Sequence, residues 1–186
     1  MPPKVKTAKE DIINATVQIV RIGGAQAINA RTIASMLGCS TQPIFSNFSS
    51  MDEVRLSVIK KADAMCHEYM RNEAAKGLFP PAKAYSMAYI QFAKEEKELF
   101  KLLFMRDRTG EPSTEDSDIA IQMSDMIHNA TGLEGNDLSI FHLEMWTLIH
   151  GIATMLATGY LDLDWELISK IISDAYLGLR KQYGLE

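Results

Sequence analysis

Residues 29–48 read NARTIASMLGCSTQPIFSNF and predict two short helices joined by a tight turn. Asn29 can cap the first helix, and Gly38 ends it because glycine accepts the left-handed conformation that a helix stop requires. Ser40 can cap the second helix, which we expect over 41–48. This layout is that of a helix-turn-helix, in which the second helix crosses the first and protrudes from it.

One side of the protruding helix is expected to pack in a small core, and its outer edge is uncharged. The positions that favour the core are Ile33, Leu37, Ile44 and Phe48. The side chains left outside are Thr41, Gln42, Pro43, Phe45, Ser46 and Asn47. The amides of Gln42 and Asn47 could pair with adenine, and Thr41 or Pro43 could touch a thymine methyl group. Phe45 could pack on a sugar or a methyl. The plainer interpretation is a helical hairpin without a ligand.

The charge distribution indicates that only the first quarter of the chain faces a polyanion. Residues 1–50 carry five basic and two acidic side chains, a balance of +3, whereas the remainder carries 14 basic and 22 acidic groups, a balance of −8. Arg31 and the N-terminal lysines would supply a salt-dependent attraction to phosphates. Backbone amides at the helix starts near Ser40 and Ser50 could also receive phosphates.

Helical periodicity continues through the rest of the chain, without strand-like alternation. The first helix of the whole chain precedes the helix-turn-helix. It opens with a capping box from Thr7 to Glu10 and ends at Gly23-Gly24. The fourth opens with a second box from Ser50 to Glu53 and runs to about residue 75. Further helices are expected over 82–95, 96–108, 114–131, 137–158 and 164–182, the last capped by Asp164. The prediction is an all-α fold of about nine helices.

Composition excludes several classes of protein. The two cysteines, Cys39 and Cys66, are too few for a disulfide scaffold. The apolar, uncharged run 145–161 is shorter than the roughly 20 residues of a membrane span, so a buried helix and a cytoplasmic protein are expected. The four histidines lack the spacing of a zinc site, and no phosphate loop or nucleophile elbow is present. We therefore expect no metal, no cofactor and no enzymatic activity.

Residues 7–54 resemble the DNA-binding domain of TetR-type transcriptional regulators. The matching pieces are Gly23-Gly24, RTIA at 31–34, LGCS at 37–40, IFSNF at 44–48 and Asp52-Glu53. The resemblance implies that the outer-edge residues contact DNA and that Arg31 approaches the backbone. The chain departs from the family at Phe45, usually Tyr, at Met51, usually Lys, and at Thr32, usually an acid. These changes bear on DNA affinity more than on the docking mode.

The second half resembles one branch of TetR C-terminal domains. MWTLIHG at 145–151 contains a Trp-x-x-x-His-Gly signature, and FAKE at 92–95 and LFKLLF at 99–104 fit the same branch. The resemblance implies an effector pocket, whose candidate lining is Met65, Tyr69, Tyr89, Phe92, Phe104, Met105, Met123, Met126, Trp146 and His150. Methionines and aromatic rings suit an adaptable apolar pocket, and ordinary core packing is the alternative for each residue.

Two late helices, 137–158 and 164–182, predict a dimer interface. Small and apolar residues recur at three- and four-residue steps and could form a four-helix seam with a two-fold copy. The candidates are Gly151, Thr154, Thr158, Trp165, Ile168, Ile172, Ala175 and Leu179. The alternative is a core within one chain. A dimer would set two protruding helices about 34–36 Å apart, one helical turn of DNA.

These patterns predict two domains, a DNA-binding domain over 1–50 and an effector-binding and dimerisation domain over 51–186. The predicted function is a homodimeric repressor that a small apolar effector releases from a palindromic operator. Repression is implied by the family resemblance. The alternative is a helical ligand-binding or interaction protein whose helix-turn-helix no longer binds DNA.

Overall fold

Helices are the only regular secondary structure in the computed structural model, which describes residues 7–109 and 118–185. The nine α-helices in these ranges confirm the all-α prediction. They are α1 (Lys9–Gly23), α2 (Ala30–Met36), α3 (Gln42–Asn47), α4 (Met51–Ala74), α5 (Pro81–Glu95), α6 (Lys97–Phe104), α7 (Asp118–Thr131), α8 (Gly135–Thr158) and α9 (Trp165–Gln182). Part of the helix predicted over 114–131 lies outside the described residues. The helix predicted over 96–108 ends four residues early.

The first capping box is not formed as predicted: only its return bond is present, one residue later in the chain. Residue Ala8, not Thr7, precedes α1, and the Asp11 carboxylate, not that of Glu10, accepts a hydrogen bond from the Ala8 amide at 2.9 Å. Both carboxylates lie in the first turn, but only the one three residues after the cap can reach back. The predicted end is confirmed, because Gly24 adopts a φ of +72° directly after α1.

Of the remaining caps, some are confirmed and one is wrong. The Asn29 side chain accepts from the Thr32 amide at 3.0 Å, and Asp164 accepts from the Leu167 amide at 2.7 Å, as predicted. The Ser40 cap is wrong, because α3 begins one residue later than expected. Thr41 occupies the cap position with a helical backbone and no side-chain hydrogen bond.

The chain divides into two compact units. One comprises Met1–Cys66 and Glu96–Arg106, and the other comprises His67–Glu95 and Asp107–Glu186. We call them unit 1 and unit 2. The division falls within α4 and places α6 with the N-terminal helices. The functional boundary predicted between residues 50 and 51 stays a prediction.

In unit 1, α6 packs on α1. Leu99 and Phe100 of α6 are fully buried, as is Val20 of α1. The Arg21 guanidinium, in the last turn of α1, donates two hydrogen bonds to the Glu96 carboxylate, at 2.9 and 2.5 Å. These two side chains are about one quarter to one third exposed. A semi-buried, bidentate ion pair therefore joins the end of α1 to the start of α6.

In unit 2, α5 and α8 form the centre of the core. Residues 84–90 of α5 are all buried, and α8 buries Phe141, Ala153 and Leu156 against its neighbours. By length and composition α8 is apolar enough to cross a membrane. A helix that buries one face inside a folded unit has the same composition, and the buried face of α8 makes it a core helix of unit 2.

Candidate nucleic-acid interface

The α3 helix is held on unit 1 by three apolar side chains. Ile33 of α2 and Ile44 of α3 are completely buried, and Phe48, directly after α3, is 2% exposed. Pro43 lies in the first turn of α3, where a missing amide proton costs little. Leu37, also predicted for this core, is half-buried. The core predicted for the helix-turn-helix is present.

The outer edge of α3 is exposed in part. Gln42 and Ser46 are exposed, and the Phe45 ring is 54% exposed although it is apolar. Thr41 and Pro43 are half-buried. None of the six residues of α3, QPIFSN, carries a charge. The helix therefore presents amide, hydroxyl and aromatic groups to its surroundings.

Asn47 differs from the prediction of an outward amide. Its side chain is half-buried, and Nδ2 donates to the Pro43 carbonyl at 2.8 Å and to the Thr7 carbonyl at 3.3 Å. The first bond follows from the position of Asn47 at the end of α3, where a side-chain donor reaches the carbonyl four residues back. The second bond joins the end of α3 to Thr7, in the segment that precedes α1. Asn47 is therefore engaged within unit 1.

Glu53 organises the start of α4. Its carboxylate accepts hydrogen bonds from Lys9 at 2.8 Å and from the Ser49 amide and hydroxyl at 2.7 and 2.9 Å. The bond from Lys9, followed by those from Ser49, lowers the Glu53 pKa to about 2. The Ser50 hydroxyl accepts from the Glu53 amide at 3.2 Å. The predicted box is thus present in part, because Ser49, and not Ser50, donates the return bond to the Glu53 carboxylate.

The basic side chains around α3 differ in the contacts that they make within unit 1. Lys9 pairs with Glu53, and its ammonium group also lies 4.5 Å from the centre of the Phe48 ring. Arg31 is exposed in the first turn of α2, and Ser40 is exposed before α3. Lys4 and Lys6 lie outside the described residues.

In unit 2, three predicted pocket residues form one aromatic cluster. The Tyr89 hydroxyl lies 2.9 Å from Nδ1 of His150, and the Trp146 ring stacks on the imidazole with 5.4 Å between centroids. Burial lowers the pKa of His150, which favours a neutral ring at neutral pH. Tyr89 is buried, whereas Trp146 and His150 are half-buried and so retain partly accessible faces.

The other predicted pocket residues do not all join this cluster. Tyr69 packs edge-on against Phe92 at 5.6 Å, and Met123 and Met126 are half-buried on α7 in unit 2. Met65, Phe104 and Met105 belong to unit 1. Met105 lines a cavity of about 340 Å³ there, together with residues of α4 and α6. A larger open groove of about 640 Å³ lies between α1 and the turn after α2.

Comparison with known proteins identifies the second half of the chain. Residues 82–171 match the family model of the tetracyclin repressor-like C-terminal domain. This segment is a TetR-family regulatory domain. The match does not test the Trp-x-x-x-His-Gly branch, which stays a prediction. The comparison with curated proteins found no match.

The residues predicted for the dimer interface fall into two groups. Ile168 and Ile172 are 0% and 2% exposed, so they belong to the core of their own unit and not to an outer face. Thr158 is exposed, and the others, Gly151, Thr154, Trp165, Ala175 and Leu179, are half-buried. Sequence analysis missed three exposed leucines of the same helices, Leu143, Leu167 and Leu177. Their exposure could not be read from residue type, because leucine is equally common in cores.

Two observations concern the reactive side chains of the described residues. Burial, with a smaller effect of Asp63, raises the pKa of the Cys66 thiol to about 12, which disfavours the nucleophilic thiolate. Across residues 7–109 and 118–185, no three His, Cys, Asp or Glu side chains are grouped to hold a metal ion. The matched domain points to a regulator that is not an enzyme.

Proposed function

We propose that this TetR-family regulator is a cytoplasmic homodimer that represses transcription by binding a palindromic operator and leaves it when a small apolar effector binds. It needs no metal or cofactor. The observation that carries the proposal is α3, a helix fixed by Ile44 and Phe48 whose exposed edge consists of uncharged hydrogen-bonding and apolar groups. A solvated helix face without a ligand would favour Lys and Glu.

The DNA contacts follow from the exposed groups of unit 1. Thr41, Gln42, Pro43, Phe45 and Ser46 would face the major groove. Arg31, Ser40 and Ser50 would lie along the phosphates, where basic side chains and hydroxyls bind without base preference.

A stripe of exposed and half-buried residues on α8 supports a dimer. Leu143, Thr147, Gly151, Thr154 and Thr158 recur at three- and four-residue steps, so they share one side of the helix. A β-carbon added at Gly151 would meet no atom within 4 Å, which leaves room for a second helix.

Two exposed leucines of α9 extend the apolar surface. Leu167 and Leu177 are 41% and 61% exposed. A two-fold copy of the same unit would cover both, together with the α8 stripe, and would supply the second recognition helix.

The effector would bind unit 2 at the Tyr89–Trp146–His150 cluster, where aromatic faces and a neutral imidazole suit an apolar molecule with one polar atom. Release requires that the effector prefer a conformation unable to bind the operator. A preference of about 100-fold would weaken operator binding by about 2.7 kcal/mol.

The test is a salt titration of binding to a palindromic duplex from the region upstream of the gene. Specific DNA binding predicts a complex whose affinity falls steeply with salt. Gln42→Ala should weaken the complex, whereas Gln182→Ala, the same change at an exposed residue of α9 in unit 2, should not. Absence of any complex at low salt would favour the alternative, a ligand-binding protein without DNA affinity, for which Met51 in place of a lysine is the motivation.

A further inference from the structure

We infer that α3 reads an adenine–thymine pair in each half-site through Gln42 and Phe45, and that Asn47 positions the helix without contacting a base. The inference rests on the proposed function, since it specifies what the same surface recognises.

The helix α3 carries no charged side chain, which bears on the base that it can read. Guanine is most often read in the major groove by Arg or Lys, which donate to its O6 and N7 atoms. The helix QPIFSN contains neither residue. Its one exposed side-chain amide is that of Gln42, and an amide can donate to N7 and accept from N6 of adenine at the same time.

The position of Phe45 also favours an adenine–thymine pair. It lies three residues after Gln42, so the two side chains share a face, separated by about 4.5 Å along the helix. Successive base pairs are about 3.4 Å apart, so both side chains can reach one pair or two adjacent pairs. The ring is 54% exposed, and the thymine methyl is the apolar group that a base pair offers in the major groove.

Asn47 is engaged within unit 1 and is therefore not one of the residues that read a base. Its Nδ2 atom already donates to the carbonyls of Pro43 and Thr7. Turning the amide toward a base would leave these half-buried carbonyls without that donor, and an unmade hydrogen bond of this kind is costly. Asn47 therefore braces α3 against the segment that enters α1, and it acts on DNA only through that geometry.

The experiment begins by selecting a tight-binding duplex from randomised DNA. Single bases under α3, located by footprinting, are then replaced by analogues that lack one group. Replacing adenine by 7-deazaadenine should weaken wild-type binding about tenfold at one position of each half-site. Gln42→Ala should lose this sensitivity. Replacing thymine by deoxyuridine, which lacks the methyl, should weaken wild type several-fold, and Phe45→Ala should lose that sensitivity.

Two controls distinguish the roles of Asn47 and Arg31 from base reading by α3. Asn47→Ala should change the affinity for all duplexes by one common factor and keep both sensitivities. Replacing guanine by 7-deazaguanine under α3 should have no effect, in wild type and in Arg31→Ala, which removes the exposed arginine of α2. Thermal unfolding of each variant identifies any that fails to fold; Gln42 and Phe45 are exposed, so their replacements should retain the wild-type melting temperature.

The outcomes distinguish the inference from the proposed function. A selected duplex that shows guanine sensitivity under α3 in Arg31→Ala, or that lacks adenine sensitivity in wild type, overturns the inference and leaves DNA binding intact. Loss of adenine sensitivity in a folded Asn47→Ala variant also overturns it. If no duplex is selected at low salt, the proposed function and the inference both fail.

Discussion

Replacing Arg21 by alanine should lower the free energy of unfolding by about 1.5–3 kcal/mol, because it removes an ion pair that joins α1 to α6 within unit 1. The pair has two hydrogen bonds, and its side chains are 31% and 23% exposed. Exposed ion pairs contribute about 0.2–1 kcal/mol, and charged hydrogen bonds in more buried settings contribute more. We therefore assign about 1–2 kcal/mol to the pair itself.

The remainder comes from the helix ends. Arg21 lies in the last turn of α1, and Glu96 lies at the cap position of α6, so each charge is also favourable for the dipole of its own helix by about 0.3–1 kcal/mol. A double-mutant cycle with Arg21→Ala and Glu96→Gln separates these contributions, because only the pair energy remains as coupling. Urea unfolding followed by circular dichroism of the full chain is the assay.

The charge-reversed variant Arg21→Glu with Glu96→Arg is the matched control. It restores an attractive pair but places both charges unfavourably for their helices. It should therefore be more stable than either single reversal and less stable than wild type. A coupling energy below about 0.5 kcal/mol would refute the reasoning, because the pair would then behave as an ordinary surface pair.

Three further predictions concern the core, a cap and pH. Ile44→Ala should destabilise the protein by about 2–4 kcal/mol, measured by urea unfolding, because Ile44 is fully buried in the core of unit 1. Asp164→Ala should cost about 1 kcal/mol through loss of the cap of α9, measured by thermal unfolding, whereas Asp162→Ala, at an exposed neighbour, should cost less. Stability should decrease as the pH falls below about 6.5, because burial lowers the pKa of folded His150 and the unfolded chain takes up the proton first. Unfolding at pH 5.5 and 7.5 should show a smaller decrease in His150→Gln than in His67→Gln.

Each of these expectations has a contrary result. An Ile44→Ala variant as stable as wild type would mean that α3 repacks without a cavity. Equal effects of Asp164→Ala and Asp162→Ala would remove the cap assignment. An identical decrease in stability at pH 5.5 in wild type and His150→Gln would place the sensitive group elsewhere.

Features set by neighbouring residues could be predicted from the sequence. Asn29 and Asp164 cap their helices, and Gly24 ends α1, because each acts on backbone groups within three or four residues. The errors at Thr7 and Ser40 are shifts of one residue. At the first place Glu10 and Asp11 are adjacent carboxylates, and at the second Ser40 and Thr41 are adjacent hydroxyls, so residue type alone does not fix the register.

Features set by distant residues could not be predicted. Arg21 and Glu96 are 75 positions apart, so no local pattern links them. Asn47 has the right residue type for reading a base, but the approach of Thr7, 40 positions away, engages its amide. Ile168 and Ile172 have the spacing of an interface and of a core alike, and only the folded unit distinguishes these two roles.

The inclusion of α6 in unit 1 bears on how the protein can be dissected. A truncated chain that stops after the helix-turn-helix would expose the side of α1 that Leu99 and Phe100 cover, and would leave Arg21 without its carboxylate. Hybrid proteins that join unit 1 to another C-terminal domain should therefore include residues 96–106 together with the amino-terminal segment. A transferable form of unit 1 therefore has to be encoded by two separate segments of the gene.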